Sequence, residues 1–586
     1  MKILKPLALL QTLRTWTTIA ITAIVLLLSL SWPAGTYAQE AGGNNEEVVQ
    51  AEVKTDVSES TAEGAKANQG LVDKLNASLN KNLGKVNDFA GGILMWDVSF
   101  SAFDYEVIDE QTGQKRLVEP AIPFLVIFLS LGAIFFTLWH NFINLRGFIH
   151  AWKIVFGKYT RDTDEGDLPP FRALTSALSA TVGLGNIASV AVAMVLGGPG
   201  ALFWMIVLGL FGMCAKFHES TLAQMFRIKN PDGTISGGPM YYLDKGLKTV
   251  HPSLGGLGKT LAIVFAICCM LAALGGGNMF QSNQAFEGFF STFIQPHVSA
   301  SEIDSTRTNA GFGFGLIMAA AVGVVVLGGI TRIGAATARI VPLMAGIYIL
   351  ACTTIILFHI SEVPTMLGEV IAQAFNADAA FGGLIGAMMT GFQRAAFSSE
   401  SGLGSSAIAH AAAKTDHPVR EGYVASLEPF IDTVVICFLT GMTILITGAY
   451  REAEGGSAVT LYAFQQVGFL GSWFPYILAV CIMLFAFSTM ISWCYYGERA
   501  WGYLFGLKTL VIFRLIFVIF VFIGAAASLE AVIAFSDTAL LSMAIPNMIG
   551  GVILAPMVKR KVQDYWKRFR SGELDSSKPE TTSTDA

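Results

Sequence analysis

The chain has 586 residues, of which 53% are apolar and 14% charged, against about 25% charged in water-soluble domains. An ordinary soluble enzyme is excluded, and the net charge of −5, from 38 Lys+Arg and 43 Asp+Glu, rules out a nucleic-acid binder with a broad basic face. The 60 glycines exceed the usual ~7%, as suits membrane helices that pack closely or are broken on purpose.

In chain order, residues 1–38 combine a basic start (Lys2, Lys5, Arg14), an apolar run from about Thr17 to Trp32, and small residues at Thr36 and Ala38. This predicts a signal peptide cleaved after Ala38, the alternative being an uncleaved first membrane helix. Residues 39–120 are polar and cannot bury a sizeable core, so they read as a periplasmic extension, with an amphipathic helix expected over 71–96. The transmembrane domain is expected over 121–558. Stretches of about 20 apolar residues, each able to cross a bilayer, fall near 122–144, 171–196, 200–226, 258–290, 311–330, 336–358, 384–412, 420–448, 474–497, 509–528 and 536–557. Residues 559–586 form a cytoplasmic tail, basic and then disordered in composition.

Basic residues alternate by loop. The segments 145–170, 227–257, 331–335, 413–419, 498–508 and the tail carry nearly all of them, whereas the opposite loops between spans hold only Arg307 and Arg451. The positive-inside rule then puts the mature N-terminus outside and the C-terminus inside a bacterial inner membrane. The seven cysteines lie in apolar segments with no zinc or disulfide spacing, and the eight histidines show no metal-ligand spacing.

Eleven spans divide as one plus five plus five. The second reads Ser179-Ala-Thr-Val-Gly-Leu-Gly-Asn-Ile-Ala188 and the seventh Ser398-Ser-Glu-Ser-Gly-Leu-Gly-Ser-Ser-Ala407, matching in Ser, Gly-Leu-Gly and Ala. Because five spans separate them, the second copy enters the membrane from the opposite side. That is the mark of inverted-topology repeats, here about 171–358 and 384–557, whose glycine-interrupted helices build a midplane site. Gly183 and Gly185, with Gly402 and Gly404, permit unwound stretches whose amides hold a carboxylate while free carbonyls hold a cation. The alternative, small-residue packing faces on unbroken helices, does not explain two copies in inverted register.

These residues resemble the alanine or glycine:cation symporters, the sodium:alanine symporter family. The likeness rests on Thr181-Val-Gly-Leu-Gly-Asn-Ile-Ala188, Gly197-Gly-Pro-Gly-Ala-Leu-Phe-Trp204, Lys216-Phe-His-Glu219, Gly237-Gly-Pro-Met-Tyr-Tyr242 and Gly277-Asn-Met-Phe-Gln281. It continues through Arg394-Ala-Ala-Phe-Ser398, Glu400-Ser-Gly-Leu-Gly404, Ala409-His-Ala-Ala-Ala413, Phe430-Ile-Asp-Thr433 and Phe485-Ala-Phe-Ser-Thr489 with Trp493, and covers about 120–560. The resemblance implies an all-α membrane protein of about eleven helices: one peripheral helix plus a five-plus-five inverted repeat of the leucine-transporter type, with two broken helices. It also implies Na+-coupled uptake of a small amino acid by alternating access.

For Na+, the resemblance points to the Ser488 and Thr489 hydroxyls with carbonyls near Ser179 and Val182. Asn186 either serves a second cation or braces the break. The substrate carboxylate is expected at Gly183 to Gly185, where amides and a positive half-helix end face it, with the Thr181 hydroxyl nearby. Trp493, on the face of Thr489, and Phe397 would wall the side chain; Gln281 is either a substrate partner or an interhelical bond. Ionisable residues within spans are presumptively functional. Arg394 and Glu400 are expected to pair if the helix unwinds between them, and Glu428 and Asp432 share a face; these four read as gate or scaffold charges. Lys216, His218 and Glu219 are expected to snorkel or pair near a helix end.

No phosphate-cradling Gly-Lys-Ser/Thr loop is present, and no nucleophile, base and metal constellation, so neither ATP-driven transport nor an enzyme is expected. No cofactor beyond Na+ as coupling ion is expected, and the partners are the amino acid, Na+ and the lipid bilayer, with no nucleic acid and no obvious protein partner. The rival readings are a proton-coupled or other-solute transporter on the same fold, and an ion channel.

Overall fold

The computed structural model describes residues 96–97, 105–108, 115–118, 123–161, 163–231, 233–375, 383–452, 456–467 and 471–574. The expected signal peptide, nearly all of the expected helix over 71–96, and the tail after 574 lie outside them. Within the polar extension, β1 (Tyr105–Ile108) and β2 (Lys115–Val118) form an antiparallel hairpin with Tyr105 opposite Val118. Four-residue strands are too short for alternation to reveal them in sequence.

The rest is helical. In hydrocarbon every backbone N–H and C=O must be satisfied within its own segment, which a helix does. In order come α1 (Phe124–Trp139), α2 (Phe148–Val155), α3 (Pro170–Thr181), α4 (Ala188–Met225), α5 (Gly255–Leu274) and α6 (Phe280–Phe289). Then follow α7 (Ile303–Val326), α8 (Gly329–Phe358), α9 (Val363–Phe375), α10 (Gly383–Ser399), α11 (Ala407–His410) and α12 (Pro418–Pro429). The last are α13 (Phe438–Ile446), α14 (Gly456–Gln465), α15 (Phe474–Phe505), α16 (Leu510–Ala526), α17 (Leu529–Ser542) and α18 (Ala544–Arg570).

Each predicted stretch coincides with helix, but the structure divides them differently. Among the described residues, eight helices are long and apolar enough to cross a membrane. The second and third stretches join in Leu184–Met225, bent where Gly198 takes φ 63° and ψ −174° before Pro199. The seventh stretch is interrupted after Ser399 and so falls short of a span. Two helices stand where loops were expected. α9 and α14 both pack on α4, and α14 is largely buried although only 10 residues long.

α4 is the central element, packed against α1, α9, α10 and α12. α15 is its counterpart, touching α3, α5, α6 and α8. α2 and the C-terminal helix are clamped together outside the spans, where His150 Nε2 lies 2.7 Å from the Tyr565 hydroxyl. Burial, with Arg420 and Lys153 nearby, holds that imidazole down to about 4, so it is neutral at pH 7.

Candidate functional site

α3 stops at Thr181, and Val182, with ψ 85°, turns the chain out of the helix. Gly183 is extended, Leu184–Asn186 form one 3₁₀ turn, and α4 begins at Ala188. The break is where the repeat predicted it, but for another reason: neither Gly183 nor Gly185 has positive φ. Gly183 is required by close approach, since a Cβ there would sit 2.4 Å from Thr489 Oγ1, whereas one at Gly185 would meet ordinary contacts of 3.4 Å or more. The expected open amides are also already in use. Gly183 N donates to Asn186 Oδ1 (2.9 Å) and Leu184 N to Gln281 Oε1 (3.2 Å).

The second break follows α10. Glu400 takes φ 54°, and Gly402 and Gly404 take φ 87° and 80°, a left-handed run that side chains resist. A positive φ at a non-glycine is strained backbone of the kind that collects at functional sites. Buried side chains pin this segment from two helices, Asn547 Nδ2 donating to Gly402 O (2.8 Å) and Lys216 Nζ to Ser406 Oγ (2.7 Å), while within the segment Ser405 Oγ donates to Glu400 Oε2.

Between the breaks is a small cavity. Thr181, Gly185, Gln281, Phe397 and Trp493, five of the six predicted substrate residues, line it with Ala180, Gly276, Leu540 and Glu400. Gly183 borders it through the Leu184–Gln281 bond. The Glu400 carboxylate accepts from Trp493 Nε1 (2.9 Å), so the strained residue presents its charge at the cavity. The enclosed volume is about 10 Å³, room for about one water molecule. Gly276 belongs to a π turn, Gly275–Met279, where the backbone lies close under Trp493: a Cβ on Gly277 would be 2.3 Å from its Cγ. Such turns recur at functional sites.

Three of the four predicted sodium residues, Ser179, Ser488 and Thr489, meet across α3 and α15. Ser179 Oγ donates to Ser488 O (2.8 Å) and Thr489 Oγ1 to Ser179 O (3.1 Å), while Ser488 Oγ bonds back to Phe485 O (3.0 Å). Val182 caps the end of α3. Asn186 braces the break at the other side: its Nδ2 donates to Asp432 Oδ1 and to Ser398 Oγ (3.2 Å). Asp432 also accepts from Ser398 Oγ and Thr433 Oγ1, both 2.8 Å. It is fully buried, and no ion pair reaches it among the described residues.

Other charges are placed otherwise than expected. Arg394 pairs with Asp537 on α17, not with Glu400. Glu428 and Asp432, four apart, serve different networks because a π segment, Phe430–Cys437, intervenes. Lys216 does not snorkel. It is fully buried and bonded to Glu428 Oε2 (3.1 Å), whose other oxygen contacts His410 Nε2, while His410 Nδ1 meets Glu421. Glu219 accepts from Asn547 (2.7 Å), and His218 Nδ1 lies 3.1 Å from His140 Nε2. Sequence reading missed Gly276, Leu540 and Asp537; only the Gly275-Gly-Gly-Asn278 run carried any signal.

Residues 111–579 match the sodium:alanine symporter family. The sodium/alanine symporter AgcS of Methanococcus maripaludis is 41% identical over 450 residues, 76% of this chain and 94% of that protein. A Bacillus subtilis protein named "probable sodium/glutamine symporter GlnT" is 33% identical, covering 77% of this chain and 89% of its own length. Among solved structures, MhsT in complex with L-phenylalanine aligns over 67% of this chain and 99% of its own, with 16% identity and a TM-score of 0.44.

Proposed function

The chain belongs to the sodium:alanine symporter family, a multi-pass, sodium-coupled amino-acid symporter, and from that premise we propose that it imports alanine or glycine with Na+ by alternating access. The cavity between the two breaks carries this reading, because it joins a carboxylate, a backbone break and close apolar walls in one place. The five-plus-five inverted repeat and an inner-membrane orientation with the C-terminus in the cytoplasm complete the proposal; they are supported by the paired Gly-Leu-Gly breaks and the distribution of basic loops.

The substrate carboxylate takes the Gly183 and Leu184 amides once Asn186 Oδ1 releases the first and Gln281 Oε1 the second. Its ammonium faces Glu400, a charge-assisted contact, and Phe397, Trp493 and Leu540 leave little room for a side chain. Any amino acid must widen this cavity, and glycine and alanine need less widening than glutamine. Na+, a hard cation, takes oxygen ligands, and two sets are present: Ser179, Val182, Ser488 and Thr489 on one side, Asp432 with Asn186, Ser398 and Thr433 on the other. A carboxylate buried in a membrane interior without an ionic partner is costly, so Asp432 favours a cation beside it whenever one is offered. The same carboxylate also suits the proton-coupled reading, in which H+ takes the place of that cation.

Uptake of labelled alanine, glycine, serine and glutamine into proteoliposomes tests this, with choline replacing external Na+. Alanine and glycine uptake should cease in choline; undiminished uptake sinks sodium coupling, and a pH-driven remainder favours the proton. Thr489→Val removes one neutral oxygen and should raise the half-saturating Na+ concentration about tenfold. Glu400→Gln keeps the Trp493 contact but not the charge, and alanine uptake should fall on the order of 30-fold. The parent should reject lactate, which has a hydroxyl for the ammonium, and the Gln variant should discriminate far less; an unchanged alanine-to-lactate ratio makes Glu400 a gate only.

A further inference from the structure

A larger cavity lies away from the transport site. It holds about 660 Å³ between the end of α1, the turn after it, and the C-terminal part of α18. Four cations line it, Arg146, Lys559, Lys567 and Arg570, together with Trp139 and Trp566, and no carboxylate does. On α18 the contributing positions 559, 563, 566, 567 and 570 follow helical spacing and share one face. Among the described residues none of the four cations has a carboxylate partner. Four like charges gathered without counter-charge repel one another, and an anion would relieve that.

The surroundings say where the anion comes from. Beside the cavity, Leu138, Phe142, Leu145 and Ile149 are exposed, Ile149 by 69%. Such apolar surface is covered by acyl chains, and Trp139 and Trp566 are the amphipathic rings that settle at headgroup depth. Lys559 Nζ sits over the Trp139 ring, 4.6 Å from its centre, a cation–π contact in the cavity wall. Trp566 Nε1 is held by the Tyr423 hydroxyl (2.9 Å), which fixes the opposite wall on α12. Basic pockets between membrane helices at the polar boundary bind anionic headgroups.

We propose that this cavity binds the headgroup of an anionic phospholipid from the surrounding membrane, its phosphate held by Lys559, Lys567, Arg146 and Arg570 and its chains laid along α1 and α2. Because Tyr423 on α12 lines the site and α12 also carries Glu421 and Glu428, the lipid would tie the C-terminal helix to the helix that holds the buried charges.

The test is native mass spectrometry of the full chain in detergent, with phosphatidylglycerol against phosphatidylcholine. The parent should retain phosphatidylglycerol selectively. Lys559→Gln/Lys567→Gln should weaken that retention on the order of 20-fold. Arg560→Gln/Lys561→Gln, with equal charge lost from another face of the same helix, should change it by less than about twofold. Equal losses in the two double variants, or equal binding of the two lipids, overturns the proposal. So does displacement by millimolar inorganic phosphate, which assigns the site to a soluble anion. Should the first double variant fail to elute as the parent does, Lys567→Gln alone should show about a fivefold loss.

Discussion

Asp432→Asn is expected to raise the half-saturating Na+ concentration for alanine uptake by on the order of 100-fold or more. Of the oxygens around the first break, those of Asp432 alone carry a formal charge; Ser398, Thr433 and Asn186 offer neutral dipoles. Removing the charge therefore removes most of the attraction for a cation, whereas removing one hydroxyl costs about tenfold. Folding should survive, because an asparagine Oδ1 still accepts from Asn186, its Nδ2 can donate to the Ser398 and Thr433 hydroxyl oxygens, and a neutral amide is cheaper to bury than a carboxylate. Melting temperature should accordingly hold or rise while Na+ affinity collapses, and that opposition separates an ion site from a scaffold. If Na+ affinity is unchanged in the variant, Asp432 is a scaffold charge and Ser179, Val182, Ser488 and Thr489 hold the ion alone. Na+-dependent stabilisation against heat, read in detergent without substrate, gives the same answer independently of transport.

The geometry of the two breaks suggests why such a site could move. The first break is held by Gln281 from α6 and, through Asn186, by Asp432; the second is held by Lys216, Asn547 and the Glu400–Ser405 pair. Ser179 and Ser398 occupy the same place in their repeats, yet one bonds α15 and the other Asp432. Each break thus answers to a different set of helices. A substrate or ion bound across them interacts differently as those sets shift, which is the differential contact any ligand-driven change needs.

What the sequence could reveal follows from what leaves a mark in residue type. The breaks were legible because the repeat states them twice, and Trp493 because helical spacing puts it above Thr489. Leu540 and Asp537 were not, since α17 joins the site only through tertiary packing. Arg394 was matched with Glu400 on chain proximity, but its partner lies 143 positions away. For Lys216 the sequence offers snorkelling or pairing, because it stands toward the end of an apolar stretch. Both the 200–226 stretch and α4, which ends at Met225, run about nine residues beyond Lys216, about 13 Å of helix, which no lysine stem spans, and neighbours enclose it on all sides. The close approach at Gly183 and the π turn at Gly276 depend on backbone paths that glycine permits but does not specify.

Burial of Lys216 makes stability sensitive to its substitution. Its ammonium and the Glu428 carboxylate are both wholly enclosed, so deleting one partner strands the other, at a cost of about 3–5 kcal/mol. The two deletions should not cost the same. After Lys216→Met, Glu428 still faces His410, and one proton taken up within the Glu428–His410–Glu421 group restores neutrality. After Glu428→Leu, Lys216 keeps only the Ser406 hydroxyl, and no proton can help except by leaving. Glu428→Leu should therefore melt lower than Lys216→Met. Lys216→Met/Glu428→Leu removes both charges and leaves His410 with Glu421, so it should melt above Glu428→Leu, with a coupling energy of about 2 kcal/mol or more. Thermal melts of the four proteins in detergent read this directly, and additive losses would mean that the pair does not act as a pair. If the double variant folds but transports slowly, Lys216 is needed for its hold on Ser406, where the second break rejoins the helix, rather than for the stability of the bundle.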